Sequence, residues 1–282
     1  MTACSFFCSL MLITLSGRNI DNSTPLFTRI YGHSVEGRDL FLHGKGDLHG
    51  GTLLIGGLHG DERATVLLLE TFLEHRLRPG APAHGVAAIP VANPDGYARN
   101  SRYNANRVDL NRNCETNWSP SSEEPPGPAA WSEPESRALR DLILEMRPSR
   151  IVTLHWALAE IDADGPQSTP LARAMWNALN DEERAPYRLR IWEDPPCEGC
   201  ETPVCPGSFG QWCGYGLRYP DGSGPATVTL ELPYDPALPR PEILPEDHLD
   251  TVRHTWAIDA AGYMRIAEKP IHKMLDAACG PL

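Results

Sequence analysis

His59 and Glu62 stand three residues apart in "GGLHGDE", where the apolar run "TLLIGGL" gives way to Val66, Leu69, Phe72 and Leu73 at helical spacing. An imidazole and a carboxylate so placed are two donors for one divalent cation. His155 ends a second apolar run, "RIVTLH", in the same manner. Two neutral imidazoles, one carboxylate and an open position for water make up a catalytic zinc site. Taken singly, each residue has a plainer reading: Glu62 complements a helix dipole, His59 bonds to loop backbone, and His155 is a satisfied core histidine. Glu231 is harder to set aside. It lies in the apolar run "TVTLELP", where an ionised carboxylate is costly unless something pairs it.

Those residues need a sheet to bring them together, and the chain alternates accordingly. "DLFLH", "TLLIGGL", "GVAAIPVAN", "RIVTLH" and "ATVTLEL" read as strands. A helix follows His59, with Glu62 in its first turn. "SEPESRALRDLILEM" reads as another, with Ser132 and Glu135 in capping-box spacing. A last helix is expected over Glu246 to Glu268, its stripe formed by Leu249, Val252, Trp256, Ala260 and Tyr263. The stretches Ser119 to Ala130 and Glu193 to Gly210 are rich in proline and glycine and read as loops. The expected fold is α/β: a single domain over residues 23–282, an open mixed β-sheet flanked by helices. His59 and His155 then share the carboxyl edge of the sheet, where open α/β folds bind ligands.

Composition limits the partners. The chain has 282 residues, 41% hydrophobic and 22% charged, which suits one substantial core. A net charge of -12 sets it against nucleic acid and against stable association with anionic membranes. Residues 1–22 form an apolar tail whose stretch from Phe6 to Leu15 is too short to span a bilayer. It carries no basic residue before that stretch and no A-x-A pattern after it. The tail reads as an extension on a cytoplasmic protein, with a signal segment for a periplasmic or secreted one as the alternative. Cys197, Cys200, Cys205 and Cys213 crowd one region and are compatible with reduced thiols, a disulfide or a structural metal.

"NPDGYARNSRYNANRVDLNRNCETNW", from Asn93 to Trp118, decides among these chemistries. With "GGLHGDE", "SEPE", "IVTLH", "PGSFGQWC" and "VTLELP" in order around it, the chain resembles the zinc carboxypeptidase family of carboxypeptidase A-like metallopeptidases. Within that family it looks most like the murein peptide amidases. The resemblance runs from about Tyr31 to Pro233 and is specific in combination. It implies a single catalytic zinc ion on His59, Glu62 and His155, with Asp109 fixing a ligand histidine's tautomer. Asn111 and Arg112 would hold the substrate's terminal carboxylate. Arg102 would steady the developing oxyanion. Glu231 would be the general base, taking a proton from water and passing it to the leaving amine.

The chain also departs from the family. Cys114 stands where an aromatic residue usually follows "NRN", and Arg107 where relatives carry glycine. After His155 the chain reads "WALAEIDADGP". Its Glu160, Asp162 and Asp164 are expected at the mouth of the site, where Asp162 and Asp164 could meet a distal ammonium such as that of diaminopimelate. Their plainer reading is solvated carboxylates. Arg107 could then take the distal carboxylate. The expected substrate is a small peptide or muropeptide. Competing readings are an N-acyl amino acid deacylase of the aspartoacylase or succinylglutamate desuccinylase type, and an inactive peptide-binding relative. The deacylases carry a further C-terminal domain, for which residues 232–282 are too few.

Overall fold

The computed structural model describes residues 26–76, 85–156, 158–193, 205–233 and 260–280. Eight strands form one sheet: β1 (Leu26–His33), β2 (Asp39–Lys45), β3 (Thr52–Ile55), β4 (Val86–Ile89), β5 (Arg150–Trp156), β6 (Glu160–Asp164), β7 (Arg190–Trp192) and β8 (Ala226–Leu232). Their spatial order is β1-β2-β4-β3-β5-β8-β6-β7. The centre, β4-β3-β5-β8, is parallel, and β2 and β6 join it antiparallel. This is the single α/β domain with an open mixed sheet that the strand pattern predicts.

Both faces of the parallel centre are covered, as its apolar runs require. All residues of β3 and β4 are buried. One face packs Leu54, Val152, Leu154, Val228 and Leu230 against three helices: α1 (Arg63–Arg76), α4 (Thr169–Asn177) and the last helix, here α5 (Ala260–Ala278). The other face packs Leu53, Ile55 and Ile151 against α3 (Pro134–Met146), through Leu139, Leu142 and Ile143. A short helix, α2 (Pro94–Arg99), follows β4.

Topology places the site. From β3 the chain moves to β4 on one side, then returns to β5 on the other. The carboxyl ends of β3 and β5 therefore flank a switch point, where a crevice opens in sheets of this kind.

Several elements differ from the sequence reading. Glu62 lies one residue before α1, outside its first turn. The Ser132–Glu135 capping box is absent: α3 is capped at Glu133, with Pro134 in its first turn and no side-chain cap. Glu135 instead accepts the Val35 N–H at 3.1 Å, and Ser132 donates to Glu133 at 2.7 Å. The last helix runs on to Ala278 through Pro270, past Glu268. Its expected stripe residues Leu249, Val252 and Trp256 lie outside the described residues, as do the tail 1–22, Cys197 and Cys200. No helix among the described residues is long and apolar enough to cross a membrane.

Candidate metal centre

Beyond β3 the chain folds through residues 56–61 and enters α1, which sets His59 and Glu62 side by side. A Cβ on Gly60 would sit 2.1 Å from the carbonyl carbon of Gly96, so this loop closes on α2 only as bare backbone. Asn93 ties the two together. Its side chain accepts the Gly96 N–H at 2.9 Å and donates to the carbonyls of Leu58 and Arg102, each at 3.4 Å. This is the structural role of "NPDG".

His155 comes from β5, in register with Glu231 of β8. Register partners share a face, so the general-base candidate stands beside a ligand candidate at one strand spacing. Thr153 and Thr229, one pair earlier, join hydroxyls at 3.2 Å. Glu231 is half-buried, while His59, Glu62 and His155 are 2%, 3% and 3% exposed.

The three buried residues converge. His59 Nδ1 lies 2.8 Å from Glu62 Oε1 and 3.2 Å from His155 Nδ1. Glu62 Oε2 is buried without a hydrogen-bond partner among the described residues, although His155 Nδ1 is 3.2 Å away. Two nitrogens face each other and a carboxylate oxygen is left over. Nitrogen, nitrogen and oxygen donors within 4.8 Å of one another fit a zinc ion.

Asp109 stands behind His59. Its Oδ1 is 3.1 Å from His59 Nε2 and accepts the Asn111 N–H at 2.8 Å. A carboxylate in this position draws the imidazole proton to Nε2 and leaves Nδ1 its lone pair. Asp109 Oδ2 accepts from Arg102 Nε at 3.0 Å and lies 2.9 Å from Nη2. The remaining nitrogen, Nη1, lies 3.2 Å from His59 Nδ1 and 3.8 Å from Glu62 Oε1. The Arg102 guanidinium thus lies against the centre itself.

Burial disfavours the charge on Asp109, but His59 and Arg102 outweigh it and hold this carboxyl well below the usual range. Glu62 behaves alike: burial opposes its charge, and His59 and His155 outweigh burial. At His59, burial and then Arg102 push the pKa down, yet Glu62 and Asp109 together raise it to about 9. A field that favours a proton there favours a metal cation too.

The turn Leu110–Arg112 presents the carboxylate-clamp candidates. Asn111 Oδ1 accepts the Phe209 N–H at 2.8 Å, which leaves its amide nitrogen to donate. Arg112 is half-buried and donates to the Asn111 carbonyl at 2.7 Å. Gly207, at φ +70°, packs on this turn, and a Cβ there would meet the Arg112 carbonyl oxygen at 2.2 Å. Arg107 is exposed, with φ at 61°: the turn keeps a backbone suited to glycine and its side chain faces away from the core.

The acids after His155 share one strand. They lie on β6, antiparallel to β8, with Glu160 opposite Glu231, Asp162 opposite Thr229 and Asp164 opposite Thr227. The level of Glu231 belongs to Glu160, which is paired with Arg190. Asp162 is exposed. Asp164 is 9% exposed and accepts the Thr229 hydroxyl at 2.7 Å. Alternation along β6 was hidden because "EIDAD" has only two apolar residues.

Sequence reasoning missed the residues that hold the clamp turn. Asn104 Oδ1 accepts the N–H groups of Asn106 and Val108, each at 3.0 Å, and its amide donates to Glu133 at 2.7 Å and Glu135 at 3.2 Å. Both glutamates are buried. The signal is "SEPE", where two acids stand beside a helix start and Glu135 also fits a capping box with Ser132. Among the described cysteines, Cys114, Cys205, Cys213 and Cys279 are free thiols. Cys114 and Cys213 are fully buried, and burial pushes both thiols well up.

Comparison with known proteins agrees with this geometry. Residues 50–152 match the family model of the succinylglutamate desuccinylase/aspartoacylase catalytic domain, which takes in His59, Glu62, Arg102 and the clamp turn but stops before His155 and Glu231. Murein peptide amidase A of Vibrio campbellii is 33% identical over 236 residues, 78% of this chain and 83% of the relative. The chain belongs to the murein peptide amidase A family. The Escherichia coli K12 member is 35% identical over 176 residues, a match spanning 57% of this chain and 65% of that relative's length. The solved structure of the murein-tripeptide amidase from Escherichia coli O157 superposes with a TM-score of 0.57 at 27% identity, covering 86% of this chain and 92% of that one. The family's zinc carboxypeptidase-like fold is thus the fold of this chain.

Proposed function

We propose that the chain is a zinc-dependent hydrolase of the amide bond to a C-terminal amino acid, with γ-D-glutamyl-diaminopimelate in muropeptides as its substrate. The observation that carries this reading is the assembly of His59, Glu62, His155 and Glu231 at one sheet edge, beside the Leu110–Arg112 turn. The names of the relatives, murein peptide amidase A and murein-tripeptide amidase, point to the same substrate class.

His59, Glu62 and His155 would hold the zinc ion, which would supply Lewis-acid chemistry there. The Glu231 carboxylate takes the proton of the attacking water and hands it to the leaving nitrogen. Arg102, fixed by Asp109 through Nε and Nη2, turns Nη1 toward the centre, where it would meet the oxyanion. The Asn111 amide and the planar Arg112 fork receive the terminal carboxylate with parallel hydrogen bonds. Asp164, held by Thr229 two residues before Glu231, and Asp162 supply the negative charge for the distal ammonium.

A second reading, hydrolysis of an N-acyl amino acid, is favoured by the desuccinylase/aspartoacylase match over residues 50–152. One experiment separates the two. Zinc-loaded protein is incubated with L-Ala-γ-D-Glu-diaminopimelate, ordinary peptides, N-acetylaspartate and N-succinylglutamate, and products are identified by mass. Release of diaminopimelate is expected. Release of acetate or succinate alone would transfer the assignment to the second reading, and no cleavage by fully loaded protein would leave a peptide-binding module.

A further inference from the structure

On the helical face, away from the carboxyl edge, a second trio of donors lies across two helices. His75 is in the last turn of α1, and Glu268 and His272 are one turn apart on α5. One donor atom from each lies within 4.8 Å of the others. His75 Nε2 is 3.8 Å from Glu268 Oε1, and the His75 and His272 rings are 5.5 Å apart.

His272 is held for ligation. Its Nε2 lies 3.3 Å from the Leu68 carbonyl and 3.1 Å from the Thr71 hydroxyl. A carbonyl only accepts, so Nε2 carries the hydrogen and Nδ1 keeps its lone pair. The Phe72 ring, 5.5 Å away and edge-on, props the imidazole. Burial lowers its pKa, keeping the neutral form that binds metals. The other two side chains are free to adjust, at 52% exposure for His75 and 36% for Glu268. Rotation of these two side chains can draw the donors in from 4.8 Å toward the roughly 3.4 Å between donors of a tetrahedral zinc.

We propose that His75, Glu268 and His272 bind a second zinc ion, structural in role, that clasps α5 to the end of α1. The place gives it a purpose. Pro270 lies between Glu268 and His272 and removes one backbone hydrogen bond from the helix there. An ion held by both residues ties together the turns on either side of Pro270 and fixes α5 to the same helix whose other end follows Glu62. Water completes the coordination.

Zinc stoichiometry, measured by equilibrium dialysis and elemental analysis, tests the clasp. Wild type should hold two ions and His75→Ala one, with hydrolytic activity retained. A His59→Ala, His155→Ala double variant should also hold one, and adding His75→Ala should leave none. Zinc at a hundredfold excess over its dissociation constant should raise the double variant's thermal midpoint by roughly 5 °C, a rise that His75→Ala abolishes. If the double variant does not fold, the wild-type and His75→Ala counts still decide. One ion in wild type and none in His75→Ala would support the clasp while sinking the inner centre. A zinc count that His75→Ala leaves unchanged would overturn the clasp.

Discussion

His59, Glu62 and His155 on one side, and His75, Glu268 and His272 on the other, are the same donor set in two settings. The inner trio is almost wholly buried and comes from β5 and from the loop that joins the parallel strand β3 to α1. The outer trio is partly exposed and comes from helix spacing. Behind the inner histidine stands a carboxylate that is itself gripped by Arg102; behind the outer one stands a neutral carbonyl. Burial makes the inner charges interdependent, since removing one leaves the others uncompensated in a low dielectric. Partial exposure lets the outer donors act one at a time. If both trios hold zinc as proposed, similar ligands serve chemistry in one place and fastening in the other, and what surrounds them decides which.

The sharpest break between the two regions should come from Glu231, the general-base candidate beside the inner trio. Glu231→Gln should lower turnover by roughly 10²–10⁴-fold while both zinc counts and the fold persist. Near-normal turnover would send the search for the base elsewhere. Asp109→Asn should come next, weakening zinc at the inner centre by about 10–100-fold and leaving the outer ion untouched. Competition with a chelator, read separately in wild type and His75→Ala, resolves the two sites; equal weakening at both would show that Asp109 acts on the fold instead.

A smaller effect concerns substrate choice within the inner region. Asp164→Asn and Asp162→Asn should each cut the specificity constant for γ-D-glutamyl-diaminopimelate by roughly tenfold, the scale of one hydrogen bond to a charged group. A peptide ending in an uncharged residue should lose far less. Equal losses on both substrates, or a wild-type preference for phenylalanine-ending peptides, would leave the acids with a packing role.

The inner centre was legible in the sequence because its residues sit at breaks in apolar runs. His59 follows "TLLIGGL" and His155 ends "RIVTLH", so strand ends alone aligned them, and the β3/β5 register completed the site. Asp109, Asn111 and Arg112 were legible only through resemblance, since nothing local distinguishes that turn from a polar loop. β6 escapes notice because its alternation rests on only two apolar residues, Ile161 and Ala163, and β1 because its stretch "LFTRIYGH" mixes exposed apolar with polar residues, Ile30 being 49% exposed. Asn104, Glu133 and Glu135 were opaque for another reason. Their contacts join residues about thirty positions apart, and no local pattern encodes such a pairing. The outer trio needed the packing of α5 on α1, two helices almost two hundred residues apart in the chain.

The smallest predicted effect lies at Arg107, where the inner region carries strain that its chemistry does not need. A non-glycine residue at φ 61° costs about 1–2 kcal/mol against the same residue in ordinary backbone. Glycine would relieve that cost but lose more freedom on folding, by about 0.4–1 kcal/mol. Arg107→Gly should therefore stabilise the chain by roughly 0.5–1 kcal/mol, or about 1–3 °C in thermal midpoint. The turn should not loosen, because Asn104 fixes it from both sides: its carbonyl accepts the Arg107 N–H and its own N–H reaches the Val108 carbonyl, each at 3.0 Å. Zinc at the inner centre should bind as before. If the guanidinium instead takes the distal carboxylate of the substrate, KM for γ-D-glutamyl-diaminopimelate will rise in Arg107→Gly even as the midpoint does. Thermal midpoint and KM, read on the same preparation, thus tell strain without function from strain retained for substrate binding.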